Sequence, residues 1–309
     1  MCAACGQGRA GLVVTDHGAR TGQRTTSLPL TDVHCHLLPP ELRHPAARGW
    51  QDPWFASCHQ DTPRFAGGAE VVAALDGAGL DRAVVLGWPF ADPGLLAECN
   101  DYVADQAKAS QGRLLGLALV NPSRPGWEGE LRRCQELGLR GVGELNADAQ
   151  GFELAFQGPL RELLLTLVEM SWPLLFHASE PVGHQYPGKG TAIPARMWQL
   201  LAPALESAPG LRICLGHLGG GLPFYAHMPE VAALCRQLWF DTAAVPYLYQ
   251  PGVMRALDQL LGTGRLCFGS DFPLLLPTRY SDYLLDLGDP ARESIQRDAP
   301  AAWLGDPGA

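Results

Sequence analysis

The chain has 309 residues, 47% of them hydrophobic and 18% charged, with a formal net charge of −9. This composition buries a large core and fits one large α/β domain or two smaller ones. The acidic balance argues against nucleic acid or an anionic membrane as the main partner, and no apolar run approaches the roughly 20 residues of a membrane span.

Residues 1–28 are rich in Gly, Thr and Arg and read as a flexible N-terminal extension. They hold Cys2 and Cys5 as a lone C-x-x-C pair, without the second pair that a zinc ribbon needs. The nine cysteines are an odd number, and Cys214 and Cys267 fall in apolar runs, where a thiol acts as a small hydrophobe. The expected setting is reducing and cytoplasmic.

From residue 29 to 309 the pattern predicts a single (β/α)8 barrel. The first strand, 30–36 "LTDVHCH", carries His34 and His36 one residue apart before Pro39 and Pro40. By simple alternation, Asp32, His34 and His36 share one face. The connection 37–66 is too long for an ordinary βα loop and holds Trp50, Trp54, Phe55, His59 and Phe65. We read it as a lid over the barrel mouth.

Further strands are expected at 82–87, 114–120, 140–145, 173–178, 211–217, 238–242 and 265–271. Helices are expected between and after them, near 68–79, 94–110, 127–137, 159–171, 195–207, 228–236, 252–261 and 290–303. Continuously apolar strands indicate a parallel sheet covered on both faces. A doubly wound open sheet is the alternative, but no Gly-rich fingerprint follows the first strand.

Catalytic groups of such barrels sit at the C-terminal strand ends. There the chain places His34, His36, Glu144, His177, His217 and Asp271. Burying four imidazoles and two carboxylates together is costly unless a cation pairs them, so the set predicts a divalent metal. By strand parity Glu144 shares a face with Val142. Lys189 is one of only two lysines, with Lys108, and lies in "EPVGHQYPGKG" beside His184 and Tyr186. These three are the candidate substrate-binding residues, Lys189 as a carboxylate anchor. The glycines of "GGGLPF" either admit a ligand close to the backbone or make a tight turn. "DTAAVPYLY", 241–249, lines the same mouth.

The segments "DVHCHLLPPEL", "LLFHASEP", "LGHLGGGLPF" and "FGSDFPL" resemble the amidohydrolase superfamily. The likeness, over residues 28–304, is to the amidohydrolase-related branch that includes aminocarboxymuconate-semialdehyde decarboxylase. It implies a metal-dependent TIM barrel. His34, His36, His177 and Asp271 would hold one divalent ion, zinc first and manganese second. His217 would act beside the metal-bound water or hold a second ion. "GVGELN" departs from the branch's decarboxylases and resembles the "GE" strand end of TatD-type hydrolases, so Glu144 would bridge two ions or orient a ligand histidine. The expectation is a metal-dependent hydrolase of a small carboxylate, amide, ester or lactone, with Asp271 and His217 catalytic, possible self-association, and a non-oxidative decarboxylase as the alternative. A nuclease fits Glu144 but not the charge. A non-catalytic metal-holding scaffold would not need both His217 and Asp271.

Overall fold

The computed structural model describes residues 28–61 and 63–307. The expected N-terminal extension, with its C-x-x-C pair, therefore lies almost wholly outside the described residues. Eight strands run in chain order: β1 Thr31–His36, β2 Arg82–Leu86, β3 Leu114–Gly116, β4 Val142–Leu145, β5 Leu174–Phe176, β6 Ile213–Leu215, β7 Trp239–Asp241 and β8 Leu266–Cys267. All pair in parallel, β1 to β3 in one sheet and β4 to β8 in another. Parallel bridges Ala118–Val142 and Cys35–Phe272 join the two sheets into a closed barrel. This is the predicted (β/α)8 fold.

The helices are α1 Pro53–His59, α2 Gly68–Ala78, α3 Pro93–Ala109, α4 Trp127–Glu136, α5 Ala147–Gln150, α6 Gly158–Glu169, α7 Pro194–Ser207, α8 Pro229–Cys235, α9 Val245–Leu248, α10 Val253–Leu261, α11 Ser281–Leu285, α12 Asp289–Gln296 and α13 Asp298–Leu304. Several begin with Pro at a first-turn position, where its missing N–H costs nothing; α1 and α3 are also capped by the Asp52 and Asp92 carboxylates. The last expected helix is two, because Arg297 leaves helical geometry at φ −124°, ψ −66°. This break lets α13 turn under the barrel. Its Trp303, fully buried, packs with Val33, Val84, Leu175, Cys214 and Cys267 of the barrel interior. The expected buried role of Cys214 and Cys267 is borne out, and the seven described cysteines are unpaired. No described helix is long and apolar enough to cross a membrane.

Two β-bulges correct the parity reading. Pairing of β1 with β2 slips between Asp32 and Cys35. Val33 then joins the barrel interior, and Asp32 is registered with Ala83 while His36 is registered with Leu86. Asp32 is thus not a third member of the histidine face; it is fully buried and accepts from the Ser270 and His34 amides at 3.0 and 3.1 Å. Burial pushes its carboxyl up to about 6 against these hydrogen bonds. Pairing of β4 with β5 slips likewise between Val142 and Leu145. Both of those residues pack outward against the helices, and the extra residue between them turns Glu144 away from the face of Val142. Gly143 permits this: it sits at φ +150°, and a Cβ there would lie 2.6 Å from Leu175 Cβ.

Candidate metal centre

His34, His36, Glu144, His177, His217 and Asp271 meet at the C-terminal mouth of the barrel. His34 Nε2 and His36 Nε2 are 3.1 Å apart, and His217 Nε2 is 3.2 Å from His177 Nδ1. Glu144 stands between the pairs. Its Oε1 is 2.9 Å from His177 Nδ1 and 3.4 Å from His217 Nε2. Its Oε2 is 3.8 Å from His34 Nε2 and 3.9 Å from His36 Nε2. Asp271 Oδ1 approaches His36 Nε2 at 3.5 Å and His34 Nε2 at 3.8 Å.

Each imidazole is tied outward by its other nitrogen. His34 Nδ1 lies 2.8 Å from Asp241 Oδ2, and His36 Nδ1 lies 3.0 Å from the Gly87 carbonyl. His217 Nδ1 lies 3.0 Å from the Ala243 carbonyl, and His177 Nε2 lies 3.1 Å from the Gly188 carbonyl. Carbonyl and ionised carboxylate oxygens only accept, so these four nitrogens carry the protons. The four inward nitrogens are left with lone pairs aimed at one another and at two carboxylates. Lone pairs at such separations repel unless a proton or a cation sits among them. This donor set fits a divalent ion, with the second partners that fix a ligand histidine's tautomer already in place. His34, His36 and Glu144, and Glu144, His177 and His217, form two groups each compact enough to hold one.

Without a cation, protons must supply the positive charge. Burial disfavours an imidazolium at His34, yet Asp241 and Glu144 overcome it and push the group up to about 9. Burial likewise opposes charge on His217, but Glu144 outweighs it and pushes the ring up to about 10. Burial opposes the Glu144 carboxylate too, and the neighbouring His177 and His34 hold it well below its usual range. Burial and the charge on His34 push His36 down. A metal ion held among these groups would therefore displace protons from His34 and His217 at neutral pH. Affinity is expected to strengthen as pH rises from 6 to 9, by about tenfold per pH unit for each proton displaced. Calorimetry in two buffers of different ionisation enthalpy measures this release, and a pH-independent affinity would refute it.

A cavity of about 370 Å³ opens onto the cluster. Its walls are largely aromatic and aliphatic. Phe55, His59, Phe65 and Trp88 form one side, with ring centroids of His59 to the other three at 4.5–4.9 Å. Burial, with His36, drives the His59 ring down to about 4, so this wall is uncharged at neutral pH. Segment 37–66 thus supplies Phe55 and His59, on α1, and Phe65 to the aromatic wall. Arg64 is the one Arg or Lys among the described residues lining the cavity.

His184 and Tyr186 line the cavity as expected, the Tyr186 hydroxyl donating to Glu180 at 2.5 Å. The structure does not bring Lys189 to the cavity. Its ammonium donates to the Val182 and His184 carbonyls at 2.7 and 3.1 Å, tying its own loop. The glycines after His217 make a tight turn: Gly219, Gly220 and Gly221 have φ of +61°, +60° and +89°, and a Cβ on Gly220 would lie 2.2 Å from the Ser179 carbonyl oxygen. None of the three lines the cavity. Sequence reasoning missed Asp241 as an individual residue. It is fully buried, holds His34 through Oδ2, and accepts from the His217 and Ala243 amides through Oδ1 at 3.0 and 2.9 Å. Its signal was a carboxylate ending an apolar strand.

Residues 31–306 match the family model described as Amidohydrolase, and the chain belongs to this family. It is 25% identical to a 6-methylsalicylic acid decarboxylase of Penicillium expansum, over 78% of this chain and 84% of that protein. The fold is similar to 5-carboxyvanillate decarboxylase of Sphingomonas paucimobilis, with TM-score 0.73, 16% identity, and 90% and 99% of the two chains covered. It is also similar to a dihydroxybenzoic acid decarboxylase of Polaromonas sp. JS666 with bound manganese and 2-nitroresorcinol, with TM-score 0.70, 16% identity, and 90% and 97% covered. A third similar structure is a probable 2-pyrone-4,6-dicarboxylic acid hydrolase of Acinetobacter baumannii, with TM-score 0.62, 19% identity, and 90% and 100% covered.

Proposed function

We propose that the protein is a metal-dependent, non-oxidative decarboxylase of a small aromatic carboxylic acid. This reverses the order of the two enzymes expected from sequence. The observation that carries it is the cavity: about 370 Å³, walled on one side by Phe55, Phe65 and Trp88, with Arg64 as the one arginine among its described lining residues, and open to His36, Glu144, His177, His217 and Asp271. The decarboxylase relatives support the same reading. His34, His36, His177 and Asp271 would hold the ion, with Glu144 and His217 completing the centre. Manganese is the first choice of metal, since a structurally similar decarboxylase binds it; zinc also suits imidazole ligands.

When bound, the ion supplies a Lewis acid that neutralises a substrate carboxylate and an adjacent oxygen. The residues do the rest. Phe55, Phe65 and Trp88 hold the ring and exclude water, and Arg64 draws the anion in. Asp271 relays a proton from water to the ring carbon that bears the carboxylate. The bond from that carbon to the carboxylate then breaks, its electron pair returns to the ring, and carbon dioxide leaves. The Gly87 and Ala243 carbonyls and Asp241 keep the His36, His217 and His34 rings in place throughout.

A second reading, hydrolysis, is favoured by Glu144 alone. Its two oxygens face two histidine pairs, as a carboxylate shared by two ions would, and a two-ion centre suits attack by hydroxide on a carbonyl. The test is a panel of hydroxylated benzoates, lactones and esters offered to the manganese-loaded protein. Carbon dioxide from a benzoate, abolished by chelator and restored by metal, is expected. Acid release from lactones or esters without any carbon dioxide would transfer the assignment to hydrolysis.

A further inference from the structure

The loop after β5, residues 178–193, makes one wall of the cavity through His184, Tyr186, Pro187 and Gly188. The same loop reaches the metal centre from behind. The Gly188 carbonyl is 3.1 Å from His177 Nε2, and the Ser179 hydroxyl is 3.2 Å from the same atom. Ser179 is fully buried, and its oxygen also accepts from the Gly190 amide at 2.9 Å. His177 therefore turns Nε2–H outward to the loop and Nδ1 inward, whereas the other three histidines present Nε2 inward.

The loop is held in this shape at three places. Lys189 donates to the Val182 and His184 carbonyls. Glu180 accepts from Tyr186 at 2.5 Å and from Tyr249, beyond β7, at 3.3 Å. Asp148, beyond β4, accepts from the Thr191 amide and hydroxyl at 2.7 and 2.8 Å. Gly220 packs against the Ser179 backbone so closely that no side chain fits between them.

We propose that this loop is a positioning element for the metal centre: Ser179 and the Gly188 carbonyl set which nitrogen His177 offers to the ion, and Lys189 maintains the loop that presents Gly188. The inference rests on the metal reading above and extends it to Ser179 and Lys189, neither of which lines the cavity. Outer partners of a ligand histidine commonly govern metal affinity by about 10–100-fold. Because Gly188 also lines the cavity, the wall that meets the substrate and the ring that meets the metal share one hydrogen bond.

The test uses the full chain, labelled with nitrogen-15 at histidine and loaded with cadmium-113. In the native protein the metal is expected to couple to Nδ1 of His177. Ser179→Ala is expected to weaken zinc affinity by about 10–100-fold and to split the coupling between Nδ1 and Nε2. Lys189→Met, at a half-buried site outside the cavity, is expected to act in the same direction and serves if Ser179→Ala does not fold. Coupling to Nε2 in the native protein overturns the proposal, as does native zinc affinity in both variants. A native protein that binds no cadmium refutes the metal reading itself, so the two failures are distinct.

Discussion

Asp271→Asn is expected to lower turnover by about 10²–10⁴-fold, the range for a lost proton-transfer group, while leaving the fold intact. Asp271 sits at φ +61°, a left-handed conformation that asparagine also accepts readily. Its amide donates to the His34 carbonyl at 2.9 Å and its carbonyl accepts from Leu274 at 2.7 Å, and the substitution keeps both bonds. The side-chain amide matches the carboxyl in shape, so the variant still fills its place beside His34 and His36. What it loses is a transferable proton and a negative charge. Steady-state kinetics with an identified substrate, beside a thermal melt, separates these effects. Near-native turnover would remove Asp271 from the chemistry.

The double variant His34→Ala, His36→Ala is expected to abolish tight metal binding and reduce activity to background. Two of the four inward nitrogens disappear together, so the loss must exceed the roughly 10–100-fold that follows from deleting one outer partner. The change also leaves Asp241 Oδ2 buried without its imidazole. That costs about 3–5 kcal/mol, the penalty for a buried charge left without its partner, within the roughly 5–15 kcal/mol that holds a domain together. Asp241 keeps the His217 and Ala243 amides through its other oxygen. The variant should therefore fold with a lowered melting temperature and no retained metal. Full metal content, measured by mass spectrometry after desalting, would mean that these histidines are not ligands.

The eight strands were legible because strands covered on both faces write themselves as short apolar runs. The site residues were legible because a polar group at the end of such a run has few structural excuses. The orientation of those residues was not. Alternation grouped Asp32 with His34 and His36, and Glu144 with Val142, and a bulge in each strand undid the grouping. A bulge is one residue of slippage that depends on the neighbouring strand, so its local signal is weak; Gly143 was the available hint. Lys189 misled through its rarity, which reflects composition and not position. The outward acceptors were also invisible: three of the four are backbone carbonyls, of Gly87, Ala243 and Gly188, and any residue supplies one. The preference for hydrolysis over decarboxylation came from Glu144 alone. One carboxylate describes the electrostatics of the centre but says nothing of the cavity walls that choose the substrate.

Four imidazoles tied outward turn their remaining lone pairs toward one another, and the proposed centre would hold a cation among them. Crystals of the zinc-loaded protein, measured on both sides of the zinc absorption edge, test it most directly. An anomalous peak is expected about 2.0–2.1 Å from Nε2 of both His34 and His36, with His177 presenting Nδ1 and a carboxylate oxygen of Glu144 or Asp271 completing the site. An anomalous map with no peak among these residues, and the imidazoles bridged by water or by protons alone, would contradict it.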